Sequence, residues 1–461
     1  MNFAFVHRGV RRIFISSILQ TYQGMKTGRR HFLRAAGLTG LGMAGGLSNL
    51  AKVSGDHQNS DFLRLTHTAM HSDLNNLPGD EDISLIGKYG NWAASLHANR
   101  LPSLSFRRKE WSDIASWRNA ARQRFTERLA MPDIGGMPAV KLVKQYAYDG
   151  LHIEELTWQL PYGNPTRALL LKPLNAAGPL PGIVAFHDHG GNKYFGTRKI
   201  TRISDDQHPL IRAHQQEYYG GMAWANEIAR RGYVVLVPDA FSFASRRVMV
   251  QDVPMHLRRG LTDQNPEESE NIQAYNEWAS EHEHIMAKSL FSAGTTWPGV
   301  FIAEDRKALD VLCSRNEVDA SRVGCGGLSG GGLRTVYLSA LDPRIKCAVS
   351  VGFMTTWKDF LVDKSFTHTW MIYVPLLPNE LDFPEIMGIR APLPTMILNN
   401  EQDQLFTLGE MKKAERILHE MFSKAKAEDH FQCSYYPGLH KFDAAMQQDA
   451  FAWLDRWLGG K

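Results

Sequence analysis

Cysteine is scarce in this chain of 461 residues. Four thiols, Cys313, Cys325, Cys347 and Cys433, make no disulfide framework, and all lie in apolar runs where they read as small buried hydrophobes. Acidic side chains are missing from residues 1–55, which carry Arg8, Arg11, Arg12, Lys26, Arg29, Arg30, Arg34 and Lys52. Without those 8, 44 basic residues face 48 acids, so the formal +4 of the chain becomes −4 beyond residue 55. The overall basic balance therefore does not point to nucleic acid, and no basic stripe interleaved with exposed aromatics stands out elsewhere. The apolar run from Ala35 to Leu50 is too short and too rich in Gly and Ala for a stable membrane span, which needs about 20 mostly apolar residues. Internal repeats and low-complexity tracts are absent. Metal motifs also fail on inspection. Glu281-His282-Glu283-His284 has Met286 where His-Glu-x-x-His requires its second histidine, and His187-x-His189 continues into Gly190, Gly191 and Asn192 instead of Asp-His. We therefore expect no metal and no cofactor.

At 43% hydrophobic and 22% charged, the chain is globular and long enough for a large core. Its most informative stretch is Gly324-Cys325-Gly326-Gly327-Leu328-Ser329-Gly330-Gly331-Gly332, a Gly-x-Ser-x-Gly string between a strand-like run and a helix-like run. A serine on a sharp strand-to-helix turn needs small residues two before and two after it, and Gly327 and Gly331 stand there. Such a nucleophile works only with a base, a carboxylate that orients the base, and donors for the oxyanion.

Partners in the order serine, acid, histidine lie downstream. A strand over Pro394–Asn399 leads into a loop whose Asp403 is the acid candidate, with Glu401 as local rival. Phe431–Tyr436 alternates as a strand, and His440 in the loop after it is the base candidate. An amphipathic helix from about Asp443 to Leu458 follows, with Ala450, Phe451, Trp453, Leu454, Trp457 and Leu458 on its apolar face. Upstream, the apolar run Pro181–Phe186 ends in His187-Asp188-His189-Gly190-Gly191-Asn192. Backbone amides of Gly330 and His189 are the expected oxyanion donors. Asp239, Arg334, Arg246 and Arg247 read as structural. Asp359 and Asp363 are weaker candidates for the acid.

Taken together, Phe186–Lys193, Arg231–Ala240, Asp305–Leu312, the elbow and Gly438–Phe442 resemble the α/β-hydrolase superfamily. Within it they resemble the bacterial acetyl-xylan-esterase-like and dienelactone-hydrolase-like branch, over residues 140–461. The resemblance implies a mostly parallel central sheet flanked by helices. It also implies a serine hydrolase acting on an ester, such as an acetyl or other small acyl group on a carbohydrate. A lactone or peptide bond would suit the same three residues, and an inactive scaffold used for binding is the alternative of another class. Asp188 departs from the pattern, because similar proteins commonly carry glycine there; a carboxylate beside an oxyanion hole opposes negative charge unless it is turned away or paired.

The rest of the chain divides around that region. Thr27-Gly28-Arg29-Arg30-His31-Phe32-Leu33-Arg34 looks like a signal for the twin-arginine export machinery, placing the protein in the periplasm or outside the cell. Processing is expected before Asp56, and Met25 is a candidate true start. Residues 56–139, with Trp92, Trp111 and Trp117, read as a helical extension packed on the catalytic domain. Residues 245–298 form a long insertion, polar at first and helical later, expected to help build a lid.

Overall fold

The computed structural model describes residues 84–96, 100–176, 178–263 and 267–459, so the leader of residues 1–55 lies outside the described residues. Among the described residues two helices precede the sheet, α1 (Tyr89–Ser95) and α2 (Ile114–Leu129). The Asp113 side chain caps α2 by accepting from Ser116 N at 2.7 Å, and Ala130 ends it in left-handed backbone. Trp117, Ala121, Phe125 and Leu129 recur every fourth position and therefore share one face, and all are buried. Trp92, grouped with Trp117 from the sequence, is instead 63% exposed.

Three antiparallel strands, β1 (Lys141–Tyr148), β2 (Leu151–Trp158) and β3 (Thr166–Pro173), open the sheet. Next come β4 (Leu180–Phe186), helices α3 (Pro209–Tyr219) and α4 (Trp224–Arg230), and β5 (Val234–Pro238). The insertion carries α5 (Ser269–Ser292) and runs into α6 (Trp297–Cys313), which leads to β6 (Val318–Leu328) and α7 (Gly330–Leu341). The chain closes with β7 (Ile345–Val351), α8 (Trp357–Val362), α9 (Phe383–Gly388), β8 (Thr395–Asn400), α10 (Leu408–Lys424), β9 (Phe431–Tyr436) and α11 (Ala444–Leu458).

The nine strands lie in the order β1-β2-β3-β5-β4-β6-β7-β8-β9, and β4 through β9 are parallel to one another. Central strands such as Val234-Val235-Leu236-Val237 are apolar at every position because both faces of the sheet are covered. Ile183 and Ala185 face a core shared with α4 and α11, while Val184 and Phe186 face a larger core shared with α2, α6, α7 and α10. Residues of the insertion bury Ile272, Tyr275 and Trp278 against Tyr194, Phe195 and Ile211 in a separate small core. All six parallel strands end on one rim, where the loops after β4, β6, β8 and β9 meet.

A buried ion pair holds the elbow helix to its neighbour. Arg334 on α7 donates to both carboxylate oxygens of Asp305 on α6, at 2.9 and 2.5 Å, with its guanidinium 4.2 Å from the centre of the Phe186 ring. Removing one member leaves a buried charge alone, which costs more than removing both. Arg334→Ala should lower the unfolding free energy by about 3–5 kcal/mol in urea titrations. The double variant Arg334→Met with Asp305→Leu should recover most of it.

Candidate active site

Strand β6 ends at Leu328, and Ser329 turns the chain into α7 with φ 58° and ψ −116°, a conformation that L side chains rarely adopt. Strain of this kind costs about 1–3 kcal/mol and persists only where the surroundings impose it. Here the imposition comes from close passage. A Cβ on Gly327 would sit 2.4 Å from Phe186 O, and one on Gly331 would sit 2.5 Å from the same oxygen. The turn can pass over the end of β4 only with glycine at both places. Ser329 N donates to Val351 O at 2.8 Å, so the first free amide beyond the serine is that of Gly330, at the positive end of α7.

His440 and Asp403 form the pair expected of them. Nδ1 of His440 lies 2.6 Å from Asp403 Oδ2, and the other carboxylate oxygen accepts from Leu405 N at 2.9 Å. Because Nδ1 keeps its proton and donates it to the carboxylate in a hydrogen bond, Nε2 is left as the acceptor, and that nitrogen is buried without a hydrogen-bond partner. The imidazole lies over Gly352, where a Cβ would be 2.8 Å from His440 Cε1. Leu328 pairs with Val351 in the parallel ladder, so Ser329 and Gly352 are the next residues out on neighbouring strands, and the ring lies over the residue level with the serine. Stitching between loops holds this arrangement: Glu401 N donates to Tyr436 O at 2.9 Å, Gln402 N to Gly438 O at 3.1 Å, and Lys441 N to Asn400 Oδ1 at 3.0 Å. Glu401 itself is exposed and not the partner of His440.

The loop after β4 brings His189 to the elbow, where a Cβ on Gly330 would lie 3.0 Å from His189 N. That N–H donates to no acceptor among the described residues. The two amides singled out as oxyanion donors are therefore neighbours. Asp188 does not oppose them. Its carboxylate is buried, accepts from Tyr219 OH at 2.5 Å and meets His214 Nε2 at 3.1 Å. Burial alone would raise its pKa, yet His214 and Lys199 outweigh that and hold it well below the usual range. The departure noted in the sequence is both turned away and paired.

Glu283 was missed by sequence reasoning, although it stands inside the Glu281–His284 string examined as a metal motif. From α5 its Oε1 meets His189 Nε2 at 3.0 Å and Lys193 Nζ at 2.8 Å, while Oε2 accepts from Thr369 Oγ1 at 2.7 Å and Trp370 N at 3.0 Å. One carboxylate on the insertion thus joins the loop after β4 to the segment after α8. Burial opposes its charge, but Lys193 and then His189 prevail and hold its pKa far below the usual carboxylate range. Burial and the Lys193 charge lower the His189 pKa, consistent with a neutral ring that gives Nε2–H to Glu283 and accepts Gly191 N at Nδ1.

Other candidates have structural duties. Asp239 accepts from Thr197 N at 2.8 Å and Ser245 N at 3.1 Å. Arg246 pairs with Glu304, and Arg247 stacks 4.6 Å from the centre of the Tyr194 ring. Asp359 accepts from Thr355 and Thr407, and so clamps the chain just past the acid loop. Both ring nitrogens of His187 are occupied, with Nε2 accepting from Ala240 N and Nδ1 facing Asp188 O. Among the described residues no cluster of three or more His, Cys, Asp or Glu side chains is placed to hold a metal ion, all four cysteines are free, and no helix is long and apolar enough to cross a membrane.

A mostly parallel sheet with an elbow after a central strand, an acid after β8 and a histidine after β9 is the α/β-hydrolase fold. Solved structures share it. A "putative acetyl xylan esterase" from Bacteroides fragilis NCTC 9343 aligns with TM-score 0.56 at 18% identity, over 77% of this chain and 84% of its own. A glucuronoyl esterase from Teredinibacter turnerae T7901 aligns with TM-score 0.52 at 12% identity, over 86% of this chain and 99% of its own. In sequence, the chain is 25% identical over 307 residues to the Bacillus subtilis (strain 168) protein "Putative hydrolase YtaP", covering 66% of this chain and 88% of that one. No family model matches the chain.

The Glu283 cluster has a pH signature. A carboxylate with a depressed folded-state pKa stabilises the fold above its unfolded value of 4.5, and that contribution fades as the pH falls toward the folded value. Glu283→Gln should therefore be less stable than wild type at pH 7. The difference should shrink steadily as urea titrations are repeated from pH 4.5 downward.

Proposed function

We propose that the protein is a serine hydrolase that cleaves a carboxylic ester through an acyl-enzyme. The reading is carried by one observation: His440 Nε2 is a buried nitrogen with no partner, on a ring that lies over Gly352, the residue level with Ser329 on the next strand, while Asp403 holds the other side of the ring. His440 accepts the Ser329 proton as Oγ attacks the carbonyl carbon, and the imidazolium is stabilised by Asp403. The amides of Gly330 and His189 hold the tetrahedral oxyanion, and His440 returns the proton to the departing alcohol. Water then enters, gives its proton to His440 and releases the acid, so no cofactor is consumed.

An ester on a saccharide, with an acetyl or other small acyl group, is the substrate class we favour. Support comes from the acetyl xylan and glucuronoyl esterases that share the fold, and a lactone or peptide would be handled by the same groups. Residues 140–461 form the catalytic domain in this reading, residues 56–139 an extension to it, and residues 245–298 a lid over the site. The twin-arginine string at residues 27–34 supports export to the periplasm or beyond.

A fluorophosphonate should label Ser329 stoichiometrically in folded protein and leave Ser329→Ala unlabelled. Absence of labelling would favour a binding scaffold. Ser329→Ala should lower kcat on a short-chain aryl ester by roughly 10⁴-fold or more, and Asp403→Asn by about 10⁴-fold through loss of the working tautomer. Acetylated sugars should be turned over and proline-containing peptides should not; activity confined to peptides would overturn the ester assignment.

A further inference from the structure

The loop that offers the His189 amide is built around a lysine that the mechanism does not use. Lys199 is completely buried, and its ammonium donates to Asp188 O and to His189 O, both at 2.9 Å, with the Asp188 carboxylate 3.6 Å away. Asp188 O is the carbonyl of the same peptide group whose N–H belongs to His189. The oxygen has a second neighbour in His187 Nδ1 at 3.0 Å; because Ala240 N donates to Nε2 of that ring, Nδ1 carries the proton. A full positive charge on the carbonyl oxygen draws electron density through the amide and strengthens the N–H as a donor, as linked hydrogen bonds polarise one another.

We propose that Lys199 is a positioning residue for the oxyanion hole, fixing and polarising the Asp188–His189 peptide so that the His189 amide stabilises the developing negative charge. The inference rests on the ester-hydrolysis reading of the site. It explains why a carboxylate stands where similar proteins carry glycine: Asp188, braced by His214 and Tyr219 on α3, supplies the counter-charge that keeps a buried ammonium in place. Phe243 covers Lys199 at 4.9 Å. The charged and titratable groups around it are Asp188, His187, His189 and Lys193 from the loop after β4, Asp239 from the end of β5, Arg334 from α7, and Glu283 of α5 behind Lys193. Burial lowers the Lys199 pKa to about 8, with Asp188 opposing and Lys193 reinforcing the shift. Polarisation is present below that value and lost as the pH rises through it.

The test uses the full chain and an uncharged aryl ester. In wild type, kcat should show a descending alkaline limb near pH 8, with KM unchanged within about twofold, because the oxyanion appears only after binding. Lys199→Arg keeps a charge that does not titrate in this range and should abolish the limb. Lys199→Met should lower kcat by about 30-fold at neutral pH, less than the roughly 10² to 10³ lost when an oxyanion donor is removed outright, and should slow fluorophosphonate labelling of Ser329 in parallel. A limb that persists in Lys199→Arg, a wild-type profile flat to about pH 9.5, or a folded Lys199→Met with kcat within about threefold of wild type would each overturn the proposal. Should Lys199→Met fail to fold by circular dichroism, the two pH profiles decide alone. Full activity in Ser329→Ala would instead sink the hydrolase reading, whereas a dead Ser329→Ala beside an unaffected Lys199→Met sinks only the role of the lysine.

Discussion

The passage of the elbow across the end of β4 is the contact on which the site depends. Gly327 and Gly331 leave just enough room for Phe186 O, and that proximity holds Ser329 in a backbone conformation it would otherwise leave. The same contact determines where the next groups can be. It sets the amide of Gly330 against that of His189, and it brings Ser329 level with Gly352, the platform on which the His440 ring rests. A side chain at either glycine would disturb Ser329, the Gly330 amide and the His440 platform together.

Around that contact the protein buries several paired charges. Arg334 with Asp305 lies beneath the elbow, Lys199 with Asp188 behind the loop after β4, and Glu283 with Lys193 and His189 between that loop and the insertion. A buried ion pair is weak evidence for stability, since desolvation offsets much of the Coulomb gain. Its value here is directional. Each pair ties one segment to another, and Glu283 joins two loops at once by accepting from Trp370 N while meeting the His189 ring.

Much of the architecture was legible in the chain. The strand over Ile345–Val351, buried at all but one position, and the strand over Phe431–Tyr436, an alternating run at the sheet edge, both end where turn residues follow. The helix after His440 shows the same agreement, with Asp443 capping it through Met446 N at 3.3 Å. Ser329, Asp403 and His440 could be nominated because each follows a strand that belongs to the parallel set, and parallel strands deliver the residues after them to a common rim.

Sequence by itself determined the strand and helix pattern, the need for glycine around Ser329, and the nomination of an acid and a base in chain order. Both kinds of information are local: they reside in periodicity and in the steric demands of single turns. Only the tertiary structure decided that Asp403 and not Glu401 meets His440, that Asp188 is paired with His214 and Tyr219, and that Glu283 and Lys199 brace the loop after β4. Those outcomes depend on which side chains loops from distant strands present to one another, and on charges that become strong only once packing has removed the water between them.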